Sequence, residues 1–132
     1  MEKSQELANL IAGWFTAAAK GDASYADKHL SKRSTMLLVG TDPKEWIRGK
    51  EAAKFLMAEA KAMGGNIKVS VGKVEAYKEG SVGWGIANPT ITLPNRKKFQ
   101  PRWSAVFHRE NGKWKIIQIH ASAGVSNEQL LG

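Results

Sequence analysis

The sequence contains no cysteine, and its histidines are few. Disulfide bonds, thiolate metal sites and cysteine nucleophiles are therefore excluded, and the 132 residues must fold on a hydrophobic core alone. The three histidines, His29, His108 and His120, are scattered and lack the spacing of a metal-binding set. We accordingly expect neither a metal nor another cofactor.

Long hydrophobic runs are also missing. No apolar stretch approaches the roughly 20 residues that a membrane-spanning helix needs. The N-terminus carries Glu2 and Glu6 among polar residues and does not resemble a signal peptide. These absences predict a cytoplasmic protein without a membrane partner, and the length and lack of a linker predict one domain over residues 1–132.

Acidic residues are outnumbered, with 12 Asp and Glu against 20 Lys and Arg, which gives a net charge of +8. Such a charge is compatible with nucleic-acid binding. However, Arg96-Lys97-Lys98 is the one short basic run, and no nucleic-acid-binding signature accompanies it. The basic residues are therefore interpreted as a solvated surface, and no nucleic-acid partner is expected.

The clearest structural signal is a hairpin between Arg102 and Ser122, with its turn at Glu110-Asn111-Gly112. Strict alternation divides the second strand into two faces, Trp114, Ile116, Gln118, His120 and Ser122 against Lys115, Ile117, Ile119 and Ala121. Both faces are largely apolar, so one must be covered by helices and the other by a second copy of the chain. This predicts a homodimer that forms through the sheet. Which of the two faces lines an internal pocket is not decided by the sequence.

The remaining elements follow from periodicity and from turn residues. Helices are predicted from Ser4 to Gly21, from Asp22 or Ser24 to Lys32, and from Lys50 to Met63. A strand over Thr35 to Val39 precedes the third helix, whose entry runs through Trp46, and further strands follow from Ile67 with a phase slip at Gly72. The order predicts an α+β fold, with a strongly curved, mainly antiparallel sheet wrapped around the N-terminal helices.

Three segments carry a resemblance to a known family: GWFTAAAKGD, VGTDPKEWIRGKEA and HRENGKWKIIQIHAS. Together they resemble the SnoaL-like branch of the nuclear transport factor 2-like superfamily over nearly the whole chain. The resemblance implies a cone-shaped barrel with a pocket between the sheet and the helices, and usually a homodimer. The superfamily includes isomerases, dehydratases, cyclases and non-catalytic association domains, so the fold does not select a function.

Candidate site residues come from the stripes that converge inside such a cone. Residue types suited to proton transfer are His120, Asp27, His29 and Tyr25. Candidates for the ligand-binding wall are Trp14, Met36, Leu38, Trp46, Phe55, Trp84, Arg102 and Trp103. Among these, an inward Arg102 would favour a carboxylated ligand.

Two functions remain open. One is a small-molecule enzyme of the isomerase, dehydratase or cyclase type, acting by acid–base chemistry on a hydrophobic or carboxylated compound. The other is a non-catalytic dimerisation or ligand-sensing module. A pocket with a buried carboxylate or histidine of perturbed pKa would favour the enzyme, whereas a purely apolar pocket would favour the module.

Overall fold

Four helices and ten strands make up the computed structural model, which describes residues 1–132. The helices are α1 (Gln5–Lys20), α2 (Ala23–His29), α3 (Gly49–Met63) and α4 (Asn127–Leu131). The strands are β1 (Glu2–Lys3), β2 (Leu37–Val39), β3 (Trp46–Arg48), β4 (Lys68–Ser70), β5 (Val74–Glu79), β6 (Val82–Ala87), β7 (Thr90–Thr92), β8 (Lys98–Phe99), β9 (Arg102–Glu110) and β10 (Lys113–Ser122). None of the helices combines the length and the apolar character needed to span a membrane.

The helix boundaries follow the capping residues. The Ser4 side chain accepts a hydrogen bond from the Leu7 amide at 3.1 Å, and α1 ends at Gly21, whose φ of 75° is left-handed. The three predicted helices are confirmed with small shifts at their ends. The segment around Trp46 leads directly into α3 as predicted, but it forms the short strand β3, which was not predicted.

The main sheet has seven strands in the order β1-β5-β6-β9-β10-β2-β3. All neighbours are antiparallel except β10 and β2, which run parallel with Leu38 beside Ile119. The predicted α+β class and curved sheet are confirmed. The sheet is open between its edge strands β1 and β3, so the cone is not a closed barrel.

A smaller sheet, with strands in the order β4-β7-β8, extends the wide end of the cone. Interruptions of the strands separate it from the main sheet. Gly72, with φ of 68°, separates β4 from β5, and Asn88-Pro89 separates β6 from β7. The Asn88 side-chain amide donates to the Pro101 carbonyl at 3.0 Å, at the break between β8 and β9. The predicted phase slip at Gly72 is thus a complete break, at which the chain passes from one sheet to the other.

The hairpin at Asn111-Gly112 is confirmed, with φ of 52° and 78° at these two residues. The strict alternation predicted for β10 is wrong, because a bulge at Ile117 shifts the register between Ile116 and Gln118. The inner face consequently collects Trp114, Ile116, Ile119 and Ala121, and the outer face Lys115, Gln118, His120 and Ser122.

The outer face of β10 is therefore polar. The prediction that both faces of this strand are apolar, and that a second copy of the chain must cover one of them, is wrong. Apolar side chains instead gather on the outer face of β5, β6 and β9. Ile86 is 52% exposed and Val82 is 40% exposed, while Tyr77 pairs across the strands with Trp84 and Trp84 with Val106. We call these residues the outer patch: Tyr77, Val82, Trp84, Ile86 and Val106.

Helix α1 packs closely on the concave face of the main sheet. Gly83 and Gly85 on β6 lie under Leu7 and Ile11, and a Cβ at either glycine would collide with these side chains. The close approach lets α1 lie deep in the cone. The position of α1 then determines where the aromatic residues of its second half are placed.

Candidate functional site

A cavity of about 200 Å³ lies between the three large helices and the concave sheet, toward the wide end of the cone. Of its 24 lining residues, 18 are hydrophobic. The helices contribute Trp14, Phe15, Ala17, Ala18, Tyr25, Ala26, Phe55, Leu56, Glu59, Ala60 and Met63. The strands and loops contribute Asp22, Leu38, Gly40, Thr41, Glu45, Ile67, Val69, Ile91, Phe99, Pro101, Trp103, Ile119 and Ala121. We call this cavity the cone pocket.

Glu59 is a charged residue within the apolar stripe of α3. It follows Phe55 by four residues and precedes Met63 by four, so all three lie on one helical face and line the cone pocket. The apolar stripe of α3 is recognisable in the sequence, but Glu59 is not among the site residues predicted from it. The available signal was an acidic residue at a position where the periodicity requires an apolar one.

The carboxylate of Glu59 lacks a partner within the protein. Neither Glu59 nor Glu45 takes part in a salt bridge. Burial, and to a smaller degree repulsion from Glu45, raises the pKa of Glu59 above its ordinary value. The Glu45 side chain lies against Gly40, where a Cβ would displace it. Two unpaired carboxylates therefore share one side of the pocket.

Tyr25 lies on the wall opposite the sheet. Its hydroxyl donates to the Leu10 carbonyl at 2.7 Å, a contact that Gly13 permits because a Cβ there would collide with the tyrosine ring. Burial raises the pKa of Tyr25. Trp14 meets the ring edge-on, with centroids 6.4 Å apart. Because its proton is engaged by Leu10, the hydroxyl oxygen can accept a hydrogen bond from a ligand more readily than it can donate one.

Asp22, the third carboxylate of the lining, already has a structural task. It caps α2 by accepting hydrogen bonds from the backbone and the hydroxyl of Ser24, and the hydroxyl bond is the main reason why its pKa is lowered. Glu45 and Glu59 are therefore the carboxylates of the pocket that are free to interact with a ligand.

Several residues predicted from the sequence do meet in the cone pocket. Trp14 and Trp103 form one wall, with ring centroids 6.2 Å apart, and Phe15 contacts Trp103 edge-on at 5.2 Å. The predicted residues in the lining are Trp14, Tyr25, Leu38, Phe55 and Trp103.

Other predicted ligand-binding residues lie outside the pocket. Met36 is fully buried in the core, and Trp46 is 65% exposed on the edge strand β3. Trp84 belongs to the outer patch, since β6 presents Gly83, Gly85 and Ala87 to the interior. Arg102 is exposed and its Nε donates to the Ser122 hydroxyl at 3.2 Å. The cation that would have favoured a carboxylated ligand is thus absent from the lining.

The predicted proton-transfer residues other than Tyr25 are also placed outside the lining. His120 is exposed on the outer face, beside Ser104 and Val39, because the bulge at Ile117 reverses its orientation. Asp27 is exposed and pairs with Lys32 at 2.7 Å, and the hydrogen bond from Lys32 is the main reason why its pKa is lowered.

His29 lies behind Tyr25, with ring centroids 4.2 Å apart, and does not line the pocket. Burial, followed by the charges of Lys28 and Lys115, lowers the pKa of His29. It is therefore neutral at neutral pH. In this position it supports the tyrosine ring from outside the cavity.

A second polar cluster lies at the narrow end of the cone, around Glu110. Its carboxylate accepts from the Ser31 hydroxyl at 3.0 Å, pairs with Arg33 at 3.0 Å and lies 3.4 Å from Nδ1 of His108. Glu110 stands between serine and histidine, so the histidine cannot activate the hydroxyl. The cluster joins the segment after α2 to the hairpin, and no group of three or more His, Cys, Asp or Glu residues has the geometry of a metal site.

The raised pKa of Glu59 predicts a pH-dependent stability. The folded state binds more protons than the unfolded state between the ordinary glutamate pKa, about 4.3, and the raised folded value. The contribution of Glu59 is thus most favourable below that window and is lost as the pH rises through the folded pKa. Glu59→Gln cannot ionise, so its free energy of unfolding relative to the natural protein should increase from about pH 4 to about pH 8, measured by urea denaturation.

Glu51→Gln is the matched control for this measurement. Glu51 is also on α3, but its side chain is 73% exposed. Its difference from the natural protein should stay nearly constant over the same pH range, because the Glu51 carboxylate is solvated in both the folded and the unfolded state. A Glu59→Gln difference as flat as that of Glu51→Gln would contradict the desolvation of Glu59.

Comparison with known proteins places this geometry in a family. The profile of the SnoaL-like domain matches residues 7–126. None of the curated proteins matches the sequence. Among solved structures, an NTF2-like protein of unknown function from Pseudomonas putida is 16% identical, with 94% of this chain and 88% of that chain covered and a TM-score of 0.79.

Two further solved structures are similar. A proposed ketosteroid isomerase from Shewanella frigidimarina is 14% identical, with 86% of this chain and 92% of that chain covered and a TM-score of 0.72. The association domain of CaMKII from C. elegans is also 14% identical, with 90% and 94% covered and a TM-score of 0.71. At these identities the likeness is one of fold, while the domain match extends over most of the sequence. The chain therefore belongs to the SnoaL-like family and has its NTF2-like cone fold.

Proposed function

We propose that this SnoaL-like domain binds a small molecule with a hydrophobic body in the cone pocket and acts on it by acid–base chemistry, with Glu59 as the proton-transfer group. The observation that carries the proposal is the unpaired, half-buried carboxylate of Glu59 in an otherwise apolar, aromatic cavity. Because its pKa is raised, the Glu59 carboxylate is a stronger base than an ordinary glutamate, which is the property that general-base catalysis needs.

The chemistry of the lining favours isomerisation over dehydration. One carboxylate can carry the proton transfer of an isomerase, because the proton that Glu59 takes from one carbon of the substrate can be returned to another. Dehydration also needs an acid that protonates the leaving hydroxyl. Tyr25 does not fill this role, since its proton is held by the Leu10 carbonyl at 2.7 Å. The aromatic wall of Trp14 and Trp103 would hold the flat part of the substrate against Glu59.

The experiment uses a small β,γ-unsaturated cyclic ketone, 3-cyclohexenone, whose conversion to the conjugated isomer is followed by ultraviolet absorption. We expect turnover by the natural protein and a loss of about 10²- to 10⁴-fold in Glu59→Gln, the usual contribution of a general base. Glu51→Gln should retain full activity, because Glu51 is on the exposed side of α3.

The binding and catalytic parts of the proposal fail separately. If the ketone protects the protein against thermal unfolding but is not converted, the pocket binds ligands without catalysis. If Glu59→Gln converts the ketone as fast as the natural protein, Glu59 is not the base. If the ketone neither binds nor reacts, the first part of the proposal fails for this class of compound.

The second function considered from the sequence, a dimerisation or ligand-sensing module, is supported by the outer patch. Ile86 and Val82 are large apolar residues exposed on the convex side of β6, away from the cone pocket. The similar C. elegans structure is an association domain. We therefore include in the proposal a homodimer formed through the outer patch, which is compatible with either a catalytic or a sensing pocket.

A further inference from the structure

The charge of the cone pocket is opposite to the charge of the protein. The chain has 20 Lys and Arg residues and a net charge of +8. Nevertheless, none of the pocket residues is Lys, Arg or His, and its ionisable members are Asp22, Tyr25, Glu45 and Glu59. A random selection of surface residues from this chain would give the cavity a positive sign. The negative charge of the cavity is therefore a property of its own lining and does not follow from the composition of the chain.

Glu45 and Glu59 are the pocket groups whose charge is not compensated. Asp22 is satisfied by Ser24, and Tyr25 by the Leu10 carbonyl. Elsewhere in the chain carboxylates form ion pairs, such as Asp27 with Lys32 and Glu110 with Arg33. Two like charges beside an apolar cavity repel one another and lack full hydration. A positive charge between them would relieve both costs.

The aromatic residues of the pocket favour the same ligand. The faces of tryptophan, tyrosine and phenylalanine rings attract cations, most strongly when water is excluded. Trp14, Tyr25, Phe55 and Trp103 all line the cavity. An aromatic cavity with carboxylates on one side is chemically suited to a compound that joins an apolar body to an ammonium group.

We infer that the ligand of the cone pocket is a hydrophobic amine, with its ammonium group between Glu45 and Glu59 and its apolar body against the aromatic wall. The inference rests on the proposed function of the pocket as a small-molecule site and specifies its substrate class. The apolar lining, and not the two acids alone, defines where the compound binds.

The test compares three probes of nearly equal shape: 3-phenylpropylamine, 3-phenylpropanol and 3-phenylpropanoate. Affinities are measured by calorimetry at about pH 8, where a primary amine is protonated and a carboxylate ionised. We expect the amine to bind about tenfold or more tighter than the alcohol, as for a hydrogen bond to a charged group, and the carboxylate to bind most weakly. In Glu59→Gln and in Glu45→Gln the affinity for the amine should fall toward that for the alcohol.

Controls separate this inference from the proposed function. Unchanged binding of the alcohol shows that each variant keeps a folded pocket, and Glu51→Gln should leave the preference for the amine intact. Alcohol or carboxylate binding as tightly as the amine would overturn the inference while the small-molecule pocket stands. An equal loss in Glu51→Gln and Glu59→Gln would also overturn it, because the preference would then arise from overall charge. No binding of any probe would overturn both.

Discussion

Ile86→Glu is expected to convert the proposed homodimer to a monomer. Ile86 is 52% exposed and lies in the outer patch between Glu75 on β5 and Ser104 on β9. In a symmetric dimer the substitution occurs twice and buries two carboxylates without partners. A cost of about 4 kcal/mol across the interface would raise the dissociation constant about a thousandfold. Sedimentation equilibrium at micromolar concentration measures the change.

Leu130→Glu is the control for this prediction. Leu130 on α4 is 70% exposed and lies outside the outer patch, so the same chemical change there should leave the dimer intact. Circular dichroism should show that both variants keep the fold. A monomeric natural protein at micromolar concentration, or a dimeric Ile86→Glu, would rule out the outer patch as the interface.

Phe107→Ala is expected to lower the free energy of unfolding by about 3 to 5 kcal/mol. Phe107 is 0% exposed and lies on β9, the middle strand of the main sheet, with Gly83 and Ile116 as its strand partners. Truncation would lose the transfer free energy of the ring and leave a cavity that a sheet held by strands on both sides cannot close. Urea denaturation followed by tryptophan fluorescence gives the value.

Phe99→Ala makes the same chemical change at the mouth of the pocket. Phe99 is 43% exposed, so its loss should cost less than about 1 kcal/mol in the absence of ligand. The comparison of the two variants separates the loss of core packing from the loss of an aromatic ring as causes of a lower free energy of unfolding. Equal losses in the two variants would show that Phe107 does not occupy the closed core seen in the structure.

Local chemistry was sufficient to predict the three larger helices and the last hairpin. Ser4 and Gly21 begin and end α1, and Asn111-Gly112 forms the hairpin turn, because caps and turns depend on hydrogen bonds and backbone angles within a few residues. The resemblance to the SnoaL-like family was carried by such segments, and the match over residues 7–126 confirms it.

The direction of side chains in the last strand needed the tertiary structure. A bulge depends on how two strands pair, and Ile117 in a run of apolar residues gives no local sign that it will be the extra residue. The one-residue shift directs Ile119 and Ala121 inward and His120 outward. It thereby changes which residues are available for chemistry.

The sequence by itself determined the fold class, the family, the helices and most of the aromatic wall of the pocket, since these depend on local propensity and on periodic apolar stripes. Only the tertiary structure decided the electrostatics of the site. Glu59 and Glu45 are separated along the chain and come together when α3 and the loop before β3 meet at one side of the cavity. Arg102, a binding candidate by sequence, is directed outward by the pleat of β9. The net charge of a pocket is the sum of the charges that folding brings together, so it cannot be predicted from any single segment of the sequence.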